Sequence, residues 1–307
     1  MAFRSAKLHE DGDGDIAASS TLRAFALLER IALADAPPSL DELTRASALP
    51  KPSVHRIVRL LMRGGLVERD VNGKRYTPGT RLCALALAVQ MRSPRREERR
   101  AILARLVDTI GETCNFNMLD GNEVVYVERV ETRANVRLHM KAGSRVPLHC
   151  TASGKLLLSA MPDAAVHRLL GRGPLERYTE RTIVDVDALL RALARIRASG
   201  VGTDVSEYLE GSVCLAVPVR DARGRMCAAV AVHGPAPRMT LRKGYAFLPA
   251  MREAAEAIAA TFAPPEAQAP RHVPTRQVDM IAAQRSRGAD NAIQEDARGD
   301  AARVEST

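Results

Sequence analysis

No apolar run in this sequence approaches the roughly 20 residues that a bilayer-crossing helix needs. The N-terminal stretch MAFRSAKLHEDGDGD has no apolar core of the signal-peptide kind, so export is not expected. Cysteine is scarce and unpaired in pattern: Cys83, Cys114, Cys150, Cys214 and Cys227 are odd in number and form no C-x-x-C pair. That excludes a disulfide framework and a structural zinc knot as expectations, and suits a reduced cytoplasm. Neither a G-x-S-x-G nucleophile elbow nor an internal repeat at a solenoid period occurs. With 46% hydrophobic residues among 307, the chain reads as globular and long enough for two domains, each with its own core.

The charge is present but uneven. The net value is +9, and the segment from Thr21 to Arg92 carries twelve Lys or Arg against six Asp or Glu. Less than a quarter of the chain thus holds two-thirds of the excess, and the basic cluster RSPRREERR follows directly. A local surplus of this kind fits a polyanionic partner.

Residues 1–18 are polar and acidic, and disorder is expected there. Within TLRAFALLERIAL, the i, i+3, i+4, i+7 spacing of Ala24, Leu27, Leu28 and Ile31 predicts a helix with one apolar face. Ser39 and Glu42 have capping-box spacing at the start of a second helix. A third is predicted in LPKPSVHRIVRLLMRGG, entered through Pro50 and Pro52 and ended by Gly64-Gly65. Asn72-Gly73 then marks a short hairpin. Helix, helix, turn, helix, hairpin is the order of a winged helix-turn-helix, expected over 19–80. With Val54, Ile57, Val58 and Leu61 turned inward, the third helix presents Lys51, Ser53, His55, Arg56, Arg59 and Arg63 to double-stranded DNA. Lys74 and Arg75 at the hairpin tip are placed to meet the phosphate backbone.

A linker helix is expected over 81–99 and a second domain over 100–263. Its hairpin signals are Asp120-Gly121 and Asp221–Gly224, with a third strand at NVRLHMK. Helices are expected in AILARLVDTIGETC, to about Ala160, over 162–171, over 185–199 and over 240–262. Strands at both ends with helices between imply an α+β domain with an antiparallel sheet. The tail 264–307 has few large apolar residues and is expected to be disordered.

The stretch VPLHCTASGK, Val146 to Lys155, gathers a His, a Cys, two hydroxyls and a Lys. A catalytic reading needs a nucleophile, a base and an orienting group in register. His149 and Cys150 are chain neighbours, a poor geometry for that role, and no acidic partner stands at a recognisable spacing. A zinc site of Cys150, Cys214 and His233 has no diagnostic ligand spacing either. A ligand cradle needs less: Cys150, Thr151, Ala152, Ser153 and Gly154 lie where a loop becomes a helix, and free N–H groups there attract anions. No metal, cofactor or catalytic residue is expected.

These strings together resemble the IclR-type bacterial transcriptional regulators over roughly residues 20–262. The carrying motifs are LPKPSVHRIVRLL, GETCNFNMLDGNEVVYVERVE, GSRVPLHCTASGKLLLSAMP, GVGTDVSEYLEGSVCLAVPV and AVAVHGP. The resemblance implies an α+β multidomain protein: a winged helix-turn-helix, a linker helix and a GAF/PAS-like effector-binding domain. It further implies a homodimer or homotetramer in the cytoplasm, with no membrane partner, that represses or activates a catabolic operon in response to a small organic or aromatic acid. Asp204, Cys214, Ala231 and His233 match positions that line the family's effector cavity. His233 is bulkier than the small hydroxyls of other members, and, titratable near neutral pH, it could favour an anionic or aromatic acid. The alternative from another class is a cytosolic enzyme using Cys150 and His149 beside an accessory DNA-binding domain.

Overall fold

The computed structural model describes residues 19–70, 73–135 and 140–262. The expectations for 1–18 and 264–307, for Asn72 and for the core of the NVRLHMK strand fall outside the described residues.

The N-terminal part begins with α1 (Ser20–Leu33), α2 (Leu40–Ser47) and α3 (Lys51–Arg63). Local chemistry sets their ends. The Glu42 carboxylate accepts from the Ser39 N–H at 2.7 Å and the Ser39 hydroxyl accepts from the Glu42 N–H at 3.3 Å, a complete capping box. Pro50 caps α3 and Pro52 lies in its first turn, where a missing N–H costs nothing. Leu27, Leu28, Ile31, Leu43, Val54, Ile57, Val58 and Leu61 form one core with Val67 and Tyr76. Strands β1 (Val67–Arg69) and β2 (Tyr76–Pro78) pair antiparallel as a wing, and a bridge between Arg75 and Ser39 ties it to α2.

The connector differs from the expectation. It is not one helix ending before residue 100 but two, α4 (Thr80–Met91) and α5 (Arg96–Ile110). Pro94 lies in the break between them. Helix α5 runs straight through the expected boundary at 99/100. Its buried stripe, Arg99, Ile102, Leu103, Leu106, Val107 and Ile110, packs on the second domain and continues across that point. Helix α4 is apolar yet buries only Leu87, and leaves Leu85 and Val89 57% and 58% exposed.

The second domain is one six-stranded antiparallel sheet. Its strands are β3 (Thr113–Asp120), β4 (Glu123–Val130), β5 (Arg145–Pro147), β6 (Gly202–Val205), β7 (Ser212–Arg220) and β8 (Met226–Pro235), in the order β5-β4-β3-β8-β7-β6. Helices α6 (Ala152–Ser159), α7 (Asp163–Leu170) and α8 (Val186–Ser199) pack on one face. The other face carries α5, α9 (Leu241–Ala246) and α10 (Leu248–Ala260). The expected single last helix is split at Phe247, and Pro249 in the first turn of α10 cannot donate back into α9. Two strands lack a sequence signal: β5 and β6 are three and four residues long and too short to alternate visibly.

On the α5 face sits an unusual cation. Arg99 is 1% exposed and lies against two neighbouring phenyl rings, with Phe116 and Phe262 centroids 5.5 and 4.9 Å from its guanidinium. It donates to the Thr261 hydroxyl at 2.9 Å and the Gln90 side-chain oxygen at 2.7 Å, joining α4, α5 and the end of α10.

Helix α6 meets the sheet where side chains vanish. A Cβ on Gly202 would collide with the Ala152 carbonyl oxygen, and one on Gly154 with Leu148 backbone. Gly202→Ala is therefore expected to lower stability by about 1–3 kcal/mol, the usual cost of overpacking. Equilibrium denaturation checks it, and an unchanged midpoint would show that α6 lifts freely from the sheet.

Candidate ligand cavity and nucleic-acid interface

Beneath the N-terminus of α6 the sheet is floored by small residues. Adjacent strands align Arg129, Asn115, Ala231, Ala216 and Gly202 as one rung, and His233, Cys214 and Asp204 as the next. Ala231 leaves space above it, and the cavity there has an empty volume of about 480 Å³, its mouth included. Thr151, Ala152 and Ser153 form its roof, with Tyr208 and Leu209 from the turn after β6 and Met140 also lining it.

The expected cradle is thus partly corrected. Thr151, Ala152, Ser153, Asp204, Cys214, Ala231 and His233 all line this one cavity, but Cys150 and Gly154 do not. Gly154 is pressed on Leu148, and Cys150 is fully buried behind the roof. The Thr151 hydroxyl accepts from the Gly154 N–H at 3.2 Å and donates to the Pro147 carbonyl at 2.7 Å. This cap leaves the Ala152 and Ser153 N–H groups as the donors at the helix start. Lys155 points away from the cavity into an ion pair with Glu207.

The cysteine–histidine dyad does not form. The His149 Nε2–H donates to the Glu176 carbonyl at 2.9 Å, and burial, then the nearby Asp204 charge, pushes the Cys150 thiol up. A thiol so raised is no nucleophile.

The sequence reading missed Asn115, Asn117, Tyr126, Ser212 and, behind them, Arg129. The Arg129 guanidinium is buried, donating to the Asn115 side-chain oxygen at 2.9 Å and to His233 Nε2 at 3.2 Å, with Glu131 at 3.3 Å. A bulge explains why alternation hid it. Asn117 pairs with Tyr126 and Asn115 with Arg129, so Val127 is the extra residue. Tyr126 and Arg129, three apart, therefore share the cavity face. The Asn117 side-chain amide donates to the Ser153 hydroxyl at 2.7 Å, while its side-chain oxygen Oδ1 is buried with no partner among the described residues.

His233 is not the titrating group the sequence suggested. Burial, reinforced by the Arg129 charge, holds it down to about 3, so it stays neutral and accepts from Arg129. Asp204 moves the other way: burial pushes it up to about 7, against backbone donation from Glu207. The positive field comes from Arg129 and the helix start, not from His233.

In the N-terminal part, His55, Arg56, Arg59 and Arg63 project from α3 into solvent and Ser53 is half-buried. Lys51 pairs with Asp41 at 2.8 Å. Arg75 does not reach outward: it holds Glu42 at 3.1 Å and the Pro37 carbonyl at 2.7 Å, fixing the wing to α2. Lys74 is exposed, and no ion pair engages Lys74, Arg56, Arg59 or Arg63 among the described residues.

A helix-turn-helix with a basic outer face, joined by two helices to a sheet domain whose cavity sets a few polar groups in a largely apolar lining, defines a ligand-sensing transcriptional regulator. The model for the IclR helix-turn-helix domain matches residues 20–71, and that for the bacterial transcriptional regulator IclR C-terminal matches 91–260. The chain belongs to the IclR family. It is 45% identical over 244 residues to the probable transcriptional regulator SauR of Cupriavidus necator, covering 80% of this chain and 97% of that one. Identity to the HTH-type transcriptional regulator BhcR of Paracoccus denitrificans is 32%, over 79% of this chain and 86% of the other. Among solved structures, IclR of Thermotoga maritima matches with a TM-score of 0.52 and 28% identity, over 79% and 98% of the two chains. The inducer-binding domain of PobR from Acinetobacter, a double mutant in complex with 3-hydroxybenzoic acid, matches with a TM-score of 0.50 and 28% identity, over 53% of this chain and 96% of that one. Both families and these relatives are transcriptional regulators.

The state of His233 has a pH consequence. A base whose folded pKa lies below its unfolded value adds stability above the unfolded pKa and loses it as pH falls. The His233 contribution to stability should decline from about pH 6.5 toward 3, while Asp204, whose folded value is raised, works in the opposite direction over nearly the same range. The loss that His233→Gln removes should be on the order of 2–4 kcal/mol by pH 4, read as the difference between the two proteins. Denaturant titrations of both proteins at pH 8 and pH 4 measure it.

Proposed function

We propose that the protein is a cytoplasmic, homo-oligomeric regulator of a catabolic operon, and that its cavity binds a small organic or aromatic acid. The observation that carries this reading is the cavity: a buried guanidinium behind one wall and the first N–H groups of α6 at its roof favour an anion, and small floor residues leave it room. The 3-hydroxybenzoic acid held by the related PobR domain supports the same ligand class. Self-association is supported by Leu85 and Val89 on α4 and by Leu22 and Phe25 on α1, exposed apolar side chains that a second copy would cover.

In this reading α3 enters the major groove, with Ser53, His55, Arg56, Arg59 and Arg63 toward bases and phosphates. Lys51 lies at its start and Lys74 on the wing. Ligand binding acts at a distance because the acid binds one arrangement of the paired winged helices better than the other.

A thermal-shift screen with small organic and aromatic acids tests the ligand class, since a selective binder stabilises the folded form by mass action. Ser153→Trp, which fills the roof, should abolish the ligand response and leave DNA binding intact; Cys150→Ala should leave ligand affinity unchanged. Wild-type affinity in Ser153→Trp would remove the cavity from consideration.

For the DNA face, Arg56→Ala and Arg59→Ala should each weaken operator binding by about 1–3 kcal/mol at fixed salt. Arg75→Ala should weaken it less than either, because its guanidinium is engaged with α2. Equal losses at all three positions in a titration would show that the wing, and not α3, dominates the contact.

A further inference from the structure

The cavity that favours an anion also contains one. Asp204 is 2% exposed and lines the space, and its carboxylate accepts from the Glu207 N–H at 2.8 Å. No cationic side chain hydrogen-bonds it among the described residues. Every element around it bears on its charge. From α6 comes Lys155, but its ammonium is bound to Glu207 of the following turn, and the two opposite charges largely offset each other at Asp204. The turn adds Tyr208, β7 adds the Cys214 thiol, paired with Asp204 across the strands, and the loop before α6 adds Cys150. Tyr126 faces it from β4; His233 on β8 is neutral and carries the Arg129 contact on its far side. All the thiols and phenols are uncharged, so burial decides, and Asp204 titrates near 7 before any ligand arrives.

A second negative charge brought into the same enclosure repels the carboxylate strongly, because little water screens the two. Resting on the reading of this cavity as an acid-binding site, we propose that Asp204 couples effector binding to the uptake of one proton, so that the site selects a singly charged acid over a dianion. The proton goes to the Asp204 carboxylate and the bound pair is neutral with respect to that group. Binding then depends on pH with a defined sign. Below the midpoint of Asp204 the proton is already present and affinity is flat; above it, each rise of one pH unit weakens binding about tenfold, until the bound form also deprotonates. The same proton makes the cavity a donor toward the ligand, which a carboxylate is not.

The test uses the full-length protein and a fixed set of probes: 3-hydroxybenzoate, glycolate and pyruvate as monoanions, isophthalate and malonate as dianions. The Asp204 carboxyl resonance, assigned by its loss in Asp204→Asn, is titrated by carbon-13 NMR without ligand. Calorimetry then follows a bound probe from pH 6 to 8.5 in buffers of different ionisation enthalpy, which gives the proton count on the wild type alone. The expected results are a midpoint near 7, net proton uptake at pH 7.5, affinity falling about tenfold per unit above pH 7, weaker binding of the dianions, and loss of the pH dependence in Asp204→Asn. A midpoint below 5, or pH-independent binding with no proton uptake, overturns the coupling while leaving an acid site in place. Binding of none of the five probes overturns the acid reading of the cavity and this proposal with it.

Discussion

A helix can lie close against a sheet only where the sheet has no side chains, and the cavity depends on that constraint. Gly202 and Gly154 let the first turn of α6 approach the backbone of β6 and of the loop before it. Ala231 continues the smooth floor inward, so the space lies beside the helix start instead of being filled by it. The polar end of a helix then faces a hollow rather than a packed core. The groups on the next rung follow from strand pairing alone: His233, Cys214 and Asp204 come side by side from three successive strands of one meander.

Strand β3 divides two buried arginines between the faces of the sheet. Asn115 and Asn117 look into the cavity, with Arg129 held on Asn115; Phe116 between them looks the other way and packs on Arg99. Neither guanidinium is simply stored in apolar surroundings. Arg129 meets a carboxylate, an amide and an imidazole, and Arg99 meets two ring faces, a hydroxyl and an amide. Removing a partner would leave a charge unpaired in a place where that is expensive. The strand that lines the ligand space is also the strand on which the linker's nearest helices rest.

Much of this was legible from residue order. The apolar spacing of Leu27, Leu28 and Ile31, the Ser39–Glu42 pair and the Val54–Leu61 stripe mark the three helices of the first domain, and Asp120-Gly121 marks a hairpin, because those features are local. The failures have local causes too. Strands β5 and β6 are too short to show alternation, and Pro94 lies where the linker breaks, a break that charge and helix propensity conceal. Arg129 was lost to a bulge, since a strict period of two places it on the opposite face from Tyr126. His233 was found by position but misjudged in charge, because burial and Arg129 are facts of the folded chain only. Cys150 and Gly154 belong to the right motif, yet one is covered by the roof and the other is part of the joint that holds it up.

The tyrosines are few and unevenly spread. Of five in the chain, Tyr126 and Tyr208 line the cavity, and Tyr178 stands edge-on to Tyr208 with ring centroids 5.1 Å apart. Tyr126 lies in addition beside the Arg129 guanidinium, 6.0 Å from its ring centroid. The sequence contains no tryptophan. Near-ultraviolet emission from this protein is consequently tyrosine emission, and most of its sources sit in or beside the ligand space. The molecule thus carries an intrinsic optical gauge of that space, undiluted by indole light from elsewhere in the fold.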